Sequence, residues 1–138
     1  MKTEEELGQL LIHHELKQTQ KRKDVLALFY QYEHALSSKM IEQNFKSFDR
    51  VTLYRLLNSF EEKGLIHKVV NDHGEIFYAK CQSCKHHNHQ DDHIHFHCSD
   101  CKKIYCLEDL NHSDIKVPAG FTAQSINLAV YGICKVCS

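Results

Sequence analysis

The first half of the chain reads as a run of short amphipathic helices. Leu7, Leu10 and Leu11 recur at helical spacing and predict a helix from Glu4 to Leu16. Thr19 is placed to cap a second helix reaching about Tyr32, with Val25, Leu26, Leu28, Phe29 and Tyr32 on one stripe. Ser37 or Ser38 opens a third through Met40 and Ile41 to about Asn44. Asp49 is expected to cap a fourth, Arg50 to Gly64, with Val51, Leu53, Leu56, Leu57 and Phe60 facing inward. Gly64 is a good stop because glycine takes the left-handed conformation without a Cβ clash. The pattern then changes. Leu65 to Val70 and Glu75 to Ala79 read as strands around the turn Asn71-Asp72-His73-Gly74. Helices followed by a two-stranded hairpin predict a winged helix-turn-helix, whose last helix enters the DNA major groove N-terminus first.

In such a module Arg50, Thr52, Tyr54 and Arg55 would lie on the outward, N-terminal side of the last helix. Arginines suit guanine edges and phosphates, while Tyr and Thr suit phosphates or the thymine methyl. Lys17, Lys21, Arg22 and Lys23 form a basic cluster at the start of the second helix, which taken alone is as readily a solvated face. Winged helices also serve as protein-interaction modules, so the fold by itself does not fix the function.

Beyond Ala79 strands dominate. In the stretch Asp92 to Cys101, His93, His95 and His97 would share one strand face and Ile94, Phe96 and Cys98 the other. Lys102 to Leu107 predicts a second strand, Asp109 to Ile115 a short helix, and Phe121 to Tyr131 a long strand with Ile126, Leu128 and Val130 on one face. An α/β unit this small buries little by itself, which predicts dimerisation through its sheet. The whole is α+β: residues 1–79 a winged-helix DNA-binding domain, 80–91 a His/Cys-rich hinge, and 92–138 a metal-binding dimerisation domain.

Composition sharpens this picture. All seven cysteines lie beyond Ala79, and the net charge of the 138 residues is −1, so no large basic field is expected. The acidic N-terminus has no long apolar run behind it, which predicts a cytoplasmic protein with no membrane partner. In that compartment close cysteine pairs favour metal over disulfides. Cys98-x-x-Cys101 and Cys134-x-x-Cys137 are two such pairs, and together they make a four-cysteine zinc knuckle. Four thiolates leave no open position, so this zinc would be structural. The histidine face of the preceding strand would hold a second metal.

These residues resemble the ferric uptake regulator (Fur) family of metal-responsive bacterial repressors. The matching pieces are Thr19-Gln20-Lys21-Arg22, Arg50-Val51-Thr52-Leu53-Tyr54-Arg55-Leu56-Leu57 with Phe60, Gly64-Leu65-Ile66, His93-x-His95-x-x-Cys98-x-x-Cys101, and Tyr131-Gly132-x-Cys134-x-x-Cys137. The set keeps its order over nearly the whole chain. The resemblance implies a homodimer on a palindromic double-stranded operator, repressing metal-uptake genes. It implies that Tyr54 and Arg55 sit on the recognition helix and that Lys17 reaches the minor groove. It implies a regulatory metal site taking His34, His93 and His95. The family's usual carboxylates are replaced here by Cys106 and Tyr78. Losing hard oxygen ligands and gaining a thiolate favours zinc over iron, pointing to the zinc uptake regulator (Zur) branch, with iron the alternative. Cys81 is a further candidate thiolate. Ile94 and Ile126 stand where a third family site would need an acid and a histidine. Cys84, His86, His87, His89 and His97 are unassigned by the motif. Two rival classes are a zinc storage or delivery protein using the His-rich hinge, and a zinc enzyme with His34, His93 and His95 as ligands. The second lacks an acid placed as general base.

Overall fold

The computed structural model describes residues 2–80, 94–107, 116–124 and 128–138. The chain divides into two compact units, Met1–His87 and Asn88–Ser138. No helix among the described residues is long and apolar enough to cross a membrane.

The first unit begins with α1 (Glu4–His13), opened by a capping box in which Thr3 and Glu6 satisfy each other's backbone N–H groups. It stops before Leu16 because Glu15 turns to φ 62°. The Leu16 N–H then bonds the Leu11 carbonyl at 2.8 Å and its side chain is buried. Thr19 caps α2 (Gln20–Tyr30), accepting from the Arg22 N–H at 3.3 Å. Ser37, not Ser38, caps α3 (Ser38–Asn44).

The last helix, α4, runs Arg50–Glu62. Leu53, Leu56, Leu57 and Phe60 are buried along it at helical spacing. Val51 departs from expectation and is 54% exposed. It lies two residues before Leu53, and two residues of helix turn a side chain about 200° away from that stripe. Asp49 holds the N-cap position, but its carboxylate makes no cap bond and accepts instead from the Thr52 hydroxyl at 3.4 Å. Gly64 ends the helix at φ 84°, and the Leu65 N–H closes onto the Phe60 carbonyl at 2.9 Å.

The wing has three strands rather than two. β1 (Leu36–Ser37) pairs with β3 (Ile76–Lys80), which pairs with β2 (Ile66–Val70), all antiparallel. A two-residue strand has too few positions to show alternation, so β1 is invisible in the pattern. At the hairpin tip Asn71 Oδ1 accepts from the His73 and Glu75 amides, at 3.0 and 2.8 Å. Helices and wing share one core that includes Leu11, Leu26, Leu36, Ile41, Phe60 and Tyr78. Lys80, at the end of β3, donates to the Phe29 and Tyr32 carbonyls at 3.3 and 2.9 Å, with its ammonium over the Tyr30 ring. It thereby caps the C-terminus of α2.

The second unit is a sheet ordered β5-β4-β6. β4 (Ile94–Cys98) runs antiparallel to β5 (Ile104–Leu107) and parallel to β6 (Leu128–Gly132). Of the long strand expected from Phe121 to Tyr131, the described strand is β6, and residues 125–127 lie outside the described residues. The β6 ladder is set by five residues of β4, from Ile94↔Leu128 to Cys98↔Gly132. Phe121 to Gln124 form no strand, and Phe121 is 70% exposed after a turn in which its N–H bonds the Pro118 carbonyl at 3.1 Å. The helix expected over Asp109 to Ile115, and Ile126, lie outside the described residues.

Candidate functional site

The four-cysteine cluster stands on the ends of β4 and β6. The Cys98 N–H bonds the Lys103 carbonyl and the Lys102 N–H returns to the Cys98 carbonyl, both at 3.0 Å, so the chain folds back on itself within the Cys98–Cys101 loop. Lys102 takes φ 64° to make that turn. The Ser99 N–H and hydroxyl both donate to the Gly132 carbonyl, at 2.8 and 3.1 Å, tying this loop to the strand that leads into Cys134. The second loop closes through N–H bonds from Cys137 and Ser138 to the Cys134 carbonyl, at 3.1 and 2.9 Å.

The four sulfurs lie within 4.8 Å of one another. Cys101 Sγ and Cys134 Sγ are 3.8 Å apart, far beyond a disulfide bond, and none of the described cysteines is bridged. Tetrahedral zinc with Zn–S near 2.3 Å separates its sulfurs by about 3.8 Å, so the donor set fits zinc in both type and spacing. Cys98 Sγ accepts from the amides of Cys101 and Cys134 at 3.5 and 3.4 Å. Those donors favour the thiolate and bring the Cys98 thiol down to about 6. The Cys137 thiol is pushed up, chiefly by its hydrogen bond with Cys134, because one thiolate beside another is unfavourable until a cation joins them.

A second pair of donors sits on the same sheet. His95 on β4 is the register partner of Cys106 on β5, and a His95 ring nitrogen lies within 4.8 Å of Cys106 Sγ. His95 is buried and Cys106 half-buried. The expected split of β4 into a histidine face and an apolar face does not appear in burial, since Ile94, His95, His97 and Cys98 are all buried. The ring of His97 stacks on that of its register partner Tyr131, with centroids 4.9 Å apart. His93, Cys81, Cys84, His86, His87 and His89 lie outside the described residues.

In the first unit His34 directs Nδ1 to the Ala35 carbonyl at 2.9 Å, and its ring packs on Tyr32. A backbone bond at Nδ1 fixes the tautomer that leaves Nε2 with a lone pair, the arrangement metal-binding histidines commonly show. Tyr78, where the family usually has a carboxylate, is buried in the core, and burial pushes its hydroxyl up to about 12. It remains a neutral phenol. His67, absent from the expected ligands, is a buried histidine on β2. No local motif singles it out.

The exposed side of α4 forms an open concavity of about 440 Å³ lined by Arg50, Val51, Tyr54, Arg55 and Asn58. Arg50 and Arg55 are exposed, while Tyr54 is half-buried and packs against the core rather than standing free. Its hydroxyl donates to Glu42 on α3, which also pairs with Arg50 at 3.3 Å. That bond lowers the Glu42 carboxyl and raises the Tyr54 phenol. Thr52 is half-buried. Lys17 is exposed, and Arg22 donates to its carbonyl at 3.1 Å. Arg22 therefore braces the loop that carries Lys17.

Against known protein families, the model described as the ferric uptake regulator family matches residues 13–131. The chain belongs to the ferric uptake regulator family. The ferric uptake regulation protein of Staphylococcus aureus is 30% identical over 127 residues, covering 88% of each chain. Among solved structures, holo XcZur superposes with a TM-score of 0.68 at 21% identity, covering 98% of each chain. A zinc uptake regulator complexed with zinc and DNA gives 0.64 at 18% identity, covering 99% of this chain and 96% of that one. At those identities the superpositions speak for the fold, which is the α+β fold of this family with its N-terminal winged helix. Fur-family proteins are metal-responsive, DNA-binding transcription regulators and not enzymes, and this chain is one of them.

Proposed function

We propose that this Fur-family protein is a zinc-responsive repressor of metal-uptake genes, acting in the cytoplasm as a homodimer on a palindromic operator. The observation that carries the reading is the pairing of His95 with Cys106 across β4 and β5, a nitrogen–thiolate donor set where the family usually supplies a carboxylate. Thiolate and imidazole favour zinc over ferrous iron or manganese. The regulatory site comprises His95 and Cys106, with His34, His93 and Cys81 joining on the strength of the sequence motif. Structural zinc is held by Cys98, Cys101, Cys134 and Cys137, and when bound supplies a tetrahedral cross-link between the two cysteine loops. Residues 80–91 serve as the hinge between a DNA-binding domain, 1–79, and a dimerisation domain, 92–138.

The chain's own residues then act in two places. His95 and Cys106 select the metal. Arg50, Thr52, Tyr54 and Arg55 present the reading face, and Lys17, on the loop braced by Arg22, supplies a minor-groove contact. Regulatory metal would shift the population toward the dimer that fits DNA, and DNA would raise metal affinity by the same factor. The test is metal content per chain, followed by operator binding with zinc, ferrous iron or chelator at matched concentration. Two zincs per chain, with zinc-dependent binding, is the expected result. Binding that responds to iron and not zinc would overturn the zinc assignment. Several labile zincs with no sequence preference on DNA would favour storage.

A further inference from the structure

Glu42 sits where the DNA-reading side chains of α4 meet the core. Its carboxylate accepts the Tyr54 hydroxyl on one side and pairs with Arg50 on the other, with Arg50 Nη2 at 3.3 and 3.5 Å from the two oxygens. Glu42 lies on α3 and its two partners on α4. The surroundings differ sharply: the Arg50 side chain is 76% exposed, that of Glu42 only 30%. The carboxylate is thus a fixed anion set back from the surface, and the guanidinium is an exposed cation swung onto it.

We infer that Glu42 is a positioning and specificity-determining residue for DNA reading: it anchors the Tyr54 ring and competes with backbone phosphate for Arg50. The inference rests on the reading of α4 as the recognition helix. Two effects follow from one carboxylate. A phenol tethered through its hydroxyl presents the same ring edge to each duplex, so less orientation is lost when the correct base is met. Glu42 occupies Nη2 of Arg50 and offsets its charge, so a phosphate approaching Arg50 meets a partly compensated cation with an anion beside it. Non-specific binding depends almost wholly on such contacts and is weakened most. The carboxylate therefore widens the gap between correct and incorrect duplexes.

Glu42→Gln keeps an oxygen that can accept from Tyr54 and removes the charge. Glu42→Ala removes both. The experiment uses the full-length zinc-loaded protein, a duplex selected by the wild-type chain from a randomised pool, and the same duplex scrambled. Affinities are measured by fluorescence anisotropy across a salt series, with circular dichroism melting to confirm folding. Glu42→Gln should bind scrambled DNA more tightly, with log K falling more steeply against log salt by about 0.9 for each helix engaged. Over a fourfold change in salt that slope is worth about tenfold for two helices, which sets the scale of the expected loss of discrimination. Tyr54→Phe and Glu42→Ala should both weaken binding to the selected duplex, whereas Glu42→Gln should not. An unchanged salt slope and discrimination ratio in Glu42→Gln would overturn the inference. Arg55→Ala separates the two levels of failure. If it abolishes selective binding while Glu42→Gln behaves as wild type, only the role of Glu42 falls. If neither substitution alters binding, α4 is not the reading helix and both readings fall.

Discussion

Replacing Cys98 with serine removes one thiolate from the four-cysteine cluster and with it the sulfur that accepts the Cys101 and Cys134 amides. How much depends on that sulfur follows from what else holds the second unit together. Among its described residues the buried aliphatic side chains are Ile94 and Ile104, beside the cysteines Cys98 and Cys134 and the histidines His95 and His97. Fully burying an aliphatic side chain contributes about 1.5–3 kcal/mol, so the two isoleucines supply roughly 3–6 kcal/mol. A structural zinc site of this class contributes about 10–16 kcal/mol of apparent binding energy, all of it folding energy. The metal therefore outweighs the buried aliphatic side chains described in this unit, and a serine hydroxyl does not replace a thiolate. Cys98→Ser should lose the bound zinc and the cooperative unfolding of the second unit. The helices of the first unit, with their own core, should remain. Zinc content by elemental analysis and amide exchange across β4, β5 and β6 measure the two effects. A Cys98→Ser protein with unprotected helices, or with wild-type zinc content and protection in the strands, would refute the reasoning.

Cys106→Asp returns an oxygen ligand to the position opposite His95 and should shift the balance of zinc against manganese or ferrous iron by at least about tenfold, read by competitive metal titration, while leaving the four-cysteine zinc in place. Acid should release the structural zinc. In the metal-free fold the donors at Cys98 bring its thiol down to about 6 from about 8.5 in an unfolded chain, so their contribution to stability is fully present above the unfolded value and is lost as pH falls through about 6. Bound zinc holds the thiolates against protonation, so a colorimetric zinc-release titration should place the midpoint below the value for the metal-free thiol, and release above it would count against the hydrogen-bonded thiolate. Lys80→Met removes the ammonium that caps α2 while keeping an apolar stem over Tyr30. It should destabilise the first unit by about 1–2 kcal/mol in chemical denaturation, and a change below about 0.3 kcal/mol would show the cap to be idle.

What is legible in the sequence, and what is not, divides along a physical line. The helices are legible because their signals are local: Thr19, Ser37 and Gly64 act within one turn, and the Leu53–Phe60 stripe repeats at the period of the helix. The cysteine pairs are legible because the knuckle's chemistry fixes its spacing. Expectation fails where structure depends on a distant partner or on finer geometry. Hydrophobicity alone places Val51 inward, although its angular position excludes it from the core stripe. Apolar content extends a strand over Phe121 to Tyr131, but Phe121 to Gln124 form no strand and have no partner in the β4 ladder. Glu42 is silent in the sequence for the same reason. It carries no motif, and its significance exists only once α3 and α4 are packed.

The arrangement of the sheet gives the two sets of donors an order of dependence. β4 carries His95 and ends in Cys98, while β5 begins just past Cys101 and carries Cys106. The turn that reverses the chain between them is the cysteine loop, closed by the backbone bonds of Cys98 with Lys102 and Lys103. Its geometry fixes the register in which His97 faces Ile104 and His95 faces Cys106. A one-residue slip would send Cys106 to the opposite face of the sheet from His95. The loop's backbone bonds therefore set the register on which the His95–Cys106 pair depends. On the proposed reading the four-cysteine zinc steadies that loop and the His95–Cys106 site is the one that responds to metal. On that reading the protein would give up its signalling metal without unfolding, because the four-cysteine cluster and the loop's backbone bonds do not depend on the His95–Cys106 site.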